Sequence, residues 1–257
     1  MSYTREQVAQ LEREREVVSG ELEDLCSALI MEFAPSLTVG RAREYVLHGI
    51  CRRLRIIRRC IDNTFAIFPV DRKEFLRGEE RSDLEINLHA FIINIYGLQD
   101  NIAWVYVIEK HLEDVVEGGR LGVGLFNKNT QCHLPKEVCE YLDSGIIKSW
   151  HQWYAKNYRD ALAHRIPLYV PPSTMTPTDA QKYRELENQI SEQMKKGDFE
   201  RTEALMEEQE AIGSICAAFL HSSSDSDSSS PILFHPQVIV DGKTVMEIIG
   251  VVRRHMP

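Results

Sequence analysis

The segment Asn157-Tyr-Arg-Asp-Ala-Leu-Ala-His-Arg165 holds an arginine and a histidine five positions apart, Arg159 and His164. Those types could act together on a phosphate. A guanidinium fork holds two phosphate oxygens at once, and an imidazole with a pKa of about 6.5 gives or takes a proton near neutrality. In an ideal helix five residues turn through about 500°, so the two side chains stand about 140° apart and do not share a face. Either the length of the arginine closes that gap or a second subunit completes the site. A structural reading stays open beside the chemical one. His164 and Arg165 would serve the C-terminal end of a helix, where cations complement the dipole, and Arg159 would pair with Asp160 or with a neighbouring helix.

Other residues join the candidates. Asp100 and Asn101 interrupt an apolar stripe and need partners there, so they are core hydrogen-bonding groups or supporting members of the site, as Asp160 and Arg165 are. Arg52, Arg55 and Arg59 recur at i, i+3 and i+7 of a basic segment with a single acid, Glu44. That face suits a nucleic-acid backbone, and equally suits salt bridges to Glu12, Glu14 or Glu16 of the preceding helix. Trp150, Trp153 and Tyr154 read as core aromatics or as stacking platforms for unpaired bases. The cysteines 26, 51, 60, 132, 139 and 216 form no C-x-x-C pair and read as reduced thiols. Cys132, His133 and Cys139 fit no standard zinc spacing, so neither metal nor cofactor is expected. The glycine run GGRLGVG, ending at Gly124, matches neither a dinucleotide fingerprint nor a P-loop and reads as a loop.

The elements that must position these residues are helical. Val8, Leu11, Val18, Leu22, Leu25 and Leu29 follow an a/d pattern with Arg15 at one a position, which predicts a long first helix stopped by Pro35. Thr38 is the expected cap of a second helix reaching about Ile61, and Ser82 that of a third, about thirty residues long, through Leu84, Leu88, Phe91, Ile95, Leu98, Ile102 and Val105. A helix from about Ser144 to Arg165 ends before Pro167. Beyond Pro171 the chain predicts an α-hairpin, 178–196 and 198–212, a Ser/Asp-rich loop at 222–230, an extended stretch Pro231–Val240 and a last helix near Gly242–Arg254. The expectation is an all-α, up-and-down bundle of long antiparallel helices with an added hairpin and C-terminal helix. Its parts would be a long N-terminal helix over 1–35, a bundle over 36–170 and an extension over 171–257.

With 257 residues, 43% of them apolar, the chain can bury a core without disulfides or metal. Its 30 basic and 39 acidic residues give a net charge of −9, which argues against a wholesale coat of nucleic acid or anionic lipid and leaves room for one basic patch. The Arg/Glu-rich start has no apolar signal region, and Asn94, Gln99, Asp100 and Asn101 disqualify the longest apolar stretch as a membrane span. A cytoplasmic setting is expected.

Arg159-x4-His164, with Asp160 directly after the arginine, resembles the R-x4-6-H signature of the higher eukaryotes and prokaryotes nucleotide-binding (HEPN) superfamily. YRDALAHRIPLYVPP together with INIYGLQDNIAW is similar to segments of a group of bacterial proteins. The superfamily resemblance covers about residues 40–167. It implies a cytoplasmic helical homodimer acting as a metal-independent endoribonuclease in a toxin, phage-defence or stress role, with RNA as substrate and an antitoxin or neighbouring-gene protein as partner. Arg159 would stabilise phosphate charge and His164 would act as general acid/base, leaving 2′,3′-cyclic phosphate and 5′-OH ends. A non-catalytic module binding nucleotide, RNA or a protein is the alternative.

Overall fold

A computed structural model describes residues 3–221 and 230–257. The loop expected at 222–230 lies, but for Ser230, outside them. The architecture is all-α. Thr4 opens α1 (Arg5–Ala28) with a reciprocal cap: its hydroxyl accepts from the Gln7 N–H at 3.2 Å, and the Gln7 side chain accepts from the Thr4 N–H at 2.9 Å. Val18, Leu22 and Leu29 of the seam are buried, with Cys26 beside them, while Leu25 is half-buried. Arg15, at its polar a position, reaches Asp62 at 3.5 Å. The helical path widens into a π-turn, Leu29–Phe33, and ends at Ser36, so Pro35 sits inside the last turn.

Thr38 does not cap the next helix. Val39 holds that position, and a residue distant in sequence supplies the acceptor. Glu109 accepts from the Thr38 N–H and hydroxyl, both at 2.7 Å, and from the Val39 N–H at 3.0 Å. The helix then runs through Gly40–Glu44, a π-turn at Tyr45–Ile50, and α2 (Cys51–Ile67), six residues beyond the expected end. α3 (Gly78–Glu109) starts four residues before Ser82, because Glu80 accepts from the Arg77 N–H at 2.9 Å and caps the end itself. α1 packs on α2 and α2 on α3, with Leu84, Phe91, Ile95, Leu98 and Ile102 fully buried.

The glycine run follows, then α4 (Lys136–Leu142), a helical turn at Gly145–Ser149, a π-turn at Trp150–Ala155 and α5 (Lys156–His164). The hairpin pairs α6 (Pro177–Lys196) with α7 (Phe199–Glu210), turning at Gly197, whose φ of 75° is open to glycine. Leu186, Ile190, Leu205 and Ile212 give the hairpin a small core of its own. β1 (Ala218–Phe219) and β2 (Ile232–Leu233) pair antiparallel, Ala218 opposite Leu233.

The stretch expected to be extended from Pro231 to Val240 is mostly helix. α8 (Phe234–Arg253) takes Pro236 in its first turn, where no N–H is needed. It crosses α1 closely enough that a Cβ on Gly242 would lie 3.0 Å from Val18 Cγ2. α8 packs on α1, α2 and α3 and joins their common core.

Burial alone would push the Glu109 carboxyl up, but the bonds from Thr38 and Val39 outweigh it and hold it below its ordinary value. Its contribution is therefore present at neutral pH and lost as pH falls through that depressed value. Glu109→Ala should cost about 1.5–3 kcal/mol near pH 7, the worth of hydrogen bonds to a charged group. Denaturant unfolding at neutral and acid pH checks both the cost and its decline with acid.

Candidate functional site

α3 supplies the floor of a cavity of ≈ 950 Å³ with Tyr96, Gln99 and Asp100. Lys148, His151, Lys156 and Arg159 form one wall, and the glycine run with the residues after it forms the other. That second wall depends on its glycines. Gly118 sits at φ 85°, and a Cβ on Gly122 would run into the Glu117 carbonyl. Buried Thr130 ties the turn by donating to the Gly122 carbonyl at 2.8 Å and accepting from the Gly124 N–H at 3.0 Å. The loop thereby brings Arg120 and Lys128 to the cavity.

The π-turn sets the first wall. The Lys156 N–H bonds back to the His151 carbonyl, five residues away, so one extra residue is absorbed. In an unbroken α-helix His151 and Arg159 would stand about 80° apart; absorbing one residue brings them to within about 20°. Asp241 of α8 fixes this turn from behind. It is fully buried and accepts from Trp150 Nε1 and the Tyr154 hydroxyl, both at 2.7 Å, and from Gln237 at 2.8 Å. Tyr154 is thus buried and Trp150 half-buried, whereas Trp153 is 77% exposed.

In front, Gln99 donates through its amide nitrogen to the Ile95 carbonyl at 3.3 Å, so its oxygen accepts from His151 Nδ1 at 2.8 Å. Burial, aided by Lys156 and Arg159, pushes the His151 pKa down to about 4, so the ring is neutral at pH 7. The ring stacks on Phe126, centroids 3.7 Å apart at 8°, and faces Tyr96 at 5.8 Å. The Arg159 guanidinium lies over the Tyr96 ring, 4.2 Å from its centroid, and Nη1 pairs with Asp160 Oδ1 at 3.0 Å. Burial opposes its charge, but Tyr96, Asp160 and Asp100 outweigh burial and hold the group protonated. Its Nε–H is buried without a hydrogen-bond partner among the described residues.

Asp100 is half-buried between two guanidiniums. Burial raises its pKa, opposed by Arg159 and Arg53. Arg53 donates to Asn101 at 2.8 Å and to Asn94 at 3.1 Å, and it fits only because position 97 is glycine: a Cβ there would lie 2.5 Å from Arg53 Cζ. Asn101 is thus hydrogen-bonded, and Asp100 lies in the field of the two guanidiniums, as an apolar surrounding favours.

Arg159 and His164 are not brought together. Arg159 faces the cavity, whereas His164 is exposed at the end of α5 and does not line it. Arg165 folds back along α5 to the Asn157 side chain at 2.6 Å. Arg52, Arg55 and Arg59 are exposed on α2, away from the cavity lining, and none forms an ion pair among the described residues. The expected bridges to Glu12, Glu14 and Glu16 are absent there: Glu23 takes Arg58 at 2.6 Å, Glu14 takes Lys243 at 2.7 Å, and Glu12 and Glu16 stay with Arg15. His151, Tyr96, Lys156, Arg53 and Asp241 are site or supporting residues that the sequence reading did not single out. The available signal was Gly97 between Asn94 and Asn101 on one face of an otherwise apolar helix.

No helix among the described residues is long and apolar enough to cross a membrane. Compared with protein-family models, with curated proteins and with solved structures, the chain matches none.

Burial pushes the Asp241 pKa up to about 7 against its three donors. The folded chain therefore keeps a proton that the unfolded chain releases above about pH 4, and stability falls as pH rises from about 4 to 7, by at most about 4 kcal/mol. Asp241→Asn should flatten that slope, as unfolding measured across the interval will show.

Proposed function

We propose that this protein binds the phosphate groups of a nucleotide or of single-stranded RNA in the cavity beside α3, with Arg159 as the main phosphate ligand. One observation carries the reading: Arg120, Lys128, Lys148, Lys156 and Arg159 converge on one cavity against only Asp100 and Asp143, in a chain of net charge −9. Lys148 is spent on Asp143 at 2.9 Å, while Arg120, Lys128 and Lys156 have no ion-pair partner among the described residues. Cations crowded at this density repel one another, and an anion relieves that repulsion.

The endoribonuclease reading adds His164, whose side chain is exposed and makes no hydrogen bond among the described residues. Neutral His151 is a poor general acid at pH 7, so His164 is the group left for proton transfer. RNA held on Arg159 must then pass around the end of α5 to meet it, or meet the His164 of a second copy. The products would carry 2′,3′-cyclic phosphate and 5′-OH ends.

Titration with a nucleoside diphosphate and with short single-stranded RNA tests the binding reading. Arg159→Ala should weaken binding about 10- to 100-fold, the worth of one charge-assisted pair. Absence of binding by the unaltered protein, or unchanged binding by the variant, rejects it. Mixed RNA incubated with the protein in EDTA tests cleavage separately. Cyclic-phosphate ends that vanish in His164→Ala support the enzyme; binding without cleavage leaves the module.

A further inference from the structure

Two helix faces of this chain lack ion-pair partners among the described residues and match each other. On the outer face of α2, Arg52, Ile56 and Arg59 are exposed; on that of α7, Glu203, Met206 and Glu210 are exposed. None of the four charged groups forms an ion pair among the described residues, Arg52 reaching only His48 Nδ1 at 3.2 Å. The inner face of α7, through Thr202 and Leu205, is already spent on α6.

The spacing is what pairs these faces. Each places two like charges seven residues, about 10.5 Å, apart with an apolar side chain between them. On α2 the intervals are four then three, and on α7 they are three then four. Laid antiparallel, Glu210 therefore meets Arg52, Met206 meets Ile56 and Glu203 meets Arg59. Within one chain the two faces do not pack on each other, so the match has to be made between chains.

We propose that α7 of one copy docks antiparallel on the outer face of α2 of a second copy, through Glu203, Met206 and Glu210 against Arg59, Ile56 and Arg52. The hairpin is built to reach out. It has its own small core, and α7 packs extensively only on α6. Opposite charges flanking one apolar contact fix both direction and register, as they do in paired amphipathic helices. With so few pairs, and those exposed, the association is weak and salt-sensitive. It is independent of the cavity, whose residues lie on α3, α5 and the loops.

Sedimentation of the full chain over a range of concentrations tests the proposal. The unaltered protein should self-associate at low salt and lose that association at high salt. The surface double variants Arg52→Glu/Arg59→Glu and Glu203→Arg/Glu210→Arg should each associate about tenfold more weakly or worse. Mixing the two variants should restore a complex, because the reversed faces match again. Arg159→Ala should leave association unchanged, which separates this outcome from failure of the cavity reading. A protein monomeric at every concentration, association that survives both reversals, or a mixture that stays apart overturns the proposal. So does a monomer whose Arg52→Glu/Arg59→Glu variant loses affinity for single-stranded RNA, which would give the arginine face to nucleic acid instead.

Discussion

A 32-residue helix buried in the middle of a bundle has to satisfy its polar side chains sideways, and α3 does so at Asn94, Gln99, Asp100, Asn101 and Glu109 among other positions. Each recruits a different part of the chain. Asn94 and Asn101 draw Arg53 in from α2, Gln99 holds His151, Asp100 faces Arg159, and Glu109 caps the turn before Gly40. An unpaired buried polar group costs more than a made hydrogen bond contributes, so these contacts act chiefly by excluding other arrangements. They set the register of α2 against α3 and the rotation of α5 against α3. The cavity is a by-product of that matching, since its floor and one wall are joined by the Gln99–His151 hydrogen bond and by Arg159 lying over Tyr96.

Charge is distributed with the same separation of tasks. The acidic excess lies largely on α1 and the hairpin, while cations collect around the cavity and along the outside of α2. A net field that repels anions at a distance therefore coexists with a cavity that attracts them at close range. Such a site favours ligands small enough, or stretched thin enough, to approach without confronting the whole surface.

The long helices could be read from the sequence because apolar residues at intervals of three and four leave one consistent face, as Leu84, Leu88, Ile95, Leu98 and Ile102 do. Helix ends were less legible. Thr38 has the side chain of a cap, but Glu109, 71 residues away, offers two oxygens and wins the position. The stretch 231–240 reads as extended, yet Pro236 falls in the first turn of α8, where a proline costs a helix nothing. In the site, Asp100 and Asn101 stood out because a polar residue in an apolar stripe demands a partner, and Arg159 because a histidine follows five positions on. His151 and Lys156 did not, because ideal α-periodicity assigns His151 and Arg159 to different faces. No local pattern announces a π-turn, and Asp241 is visible as a support only once α8 has folded against it.

The π-turn at Trp150–Ala155 also divides sensitivity to sequence from sensitivity to length. Substitutions at exposed positions such as Gln152 and Trp153 leave the path of the chain intact. Adding a residue between His151 and Arg159 that no turn absorbs would swing Arg159 and Lys156 about 100° away from Tyr96, whereas removing one from the π-turn would leave a regular α-helix with His151 and Arg159 still within about 20° of each other. The wall of the cavity is in this sense written in the phase the chain keeps between Ser149 and Lys156, which survives the loss of one residue from the turn but not the gain of one beyond it.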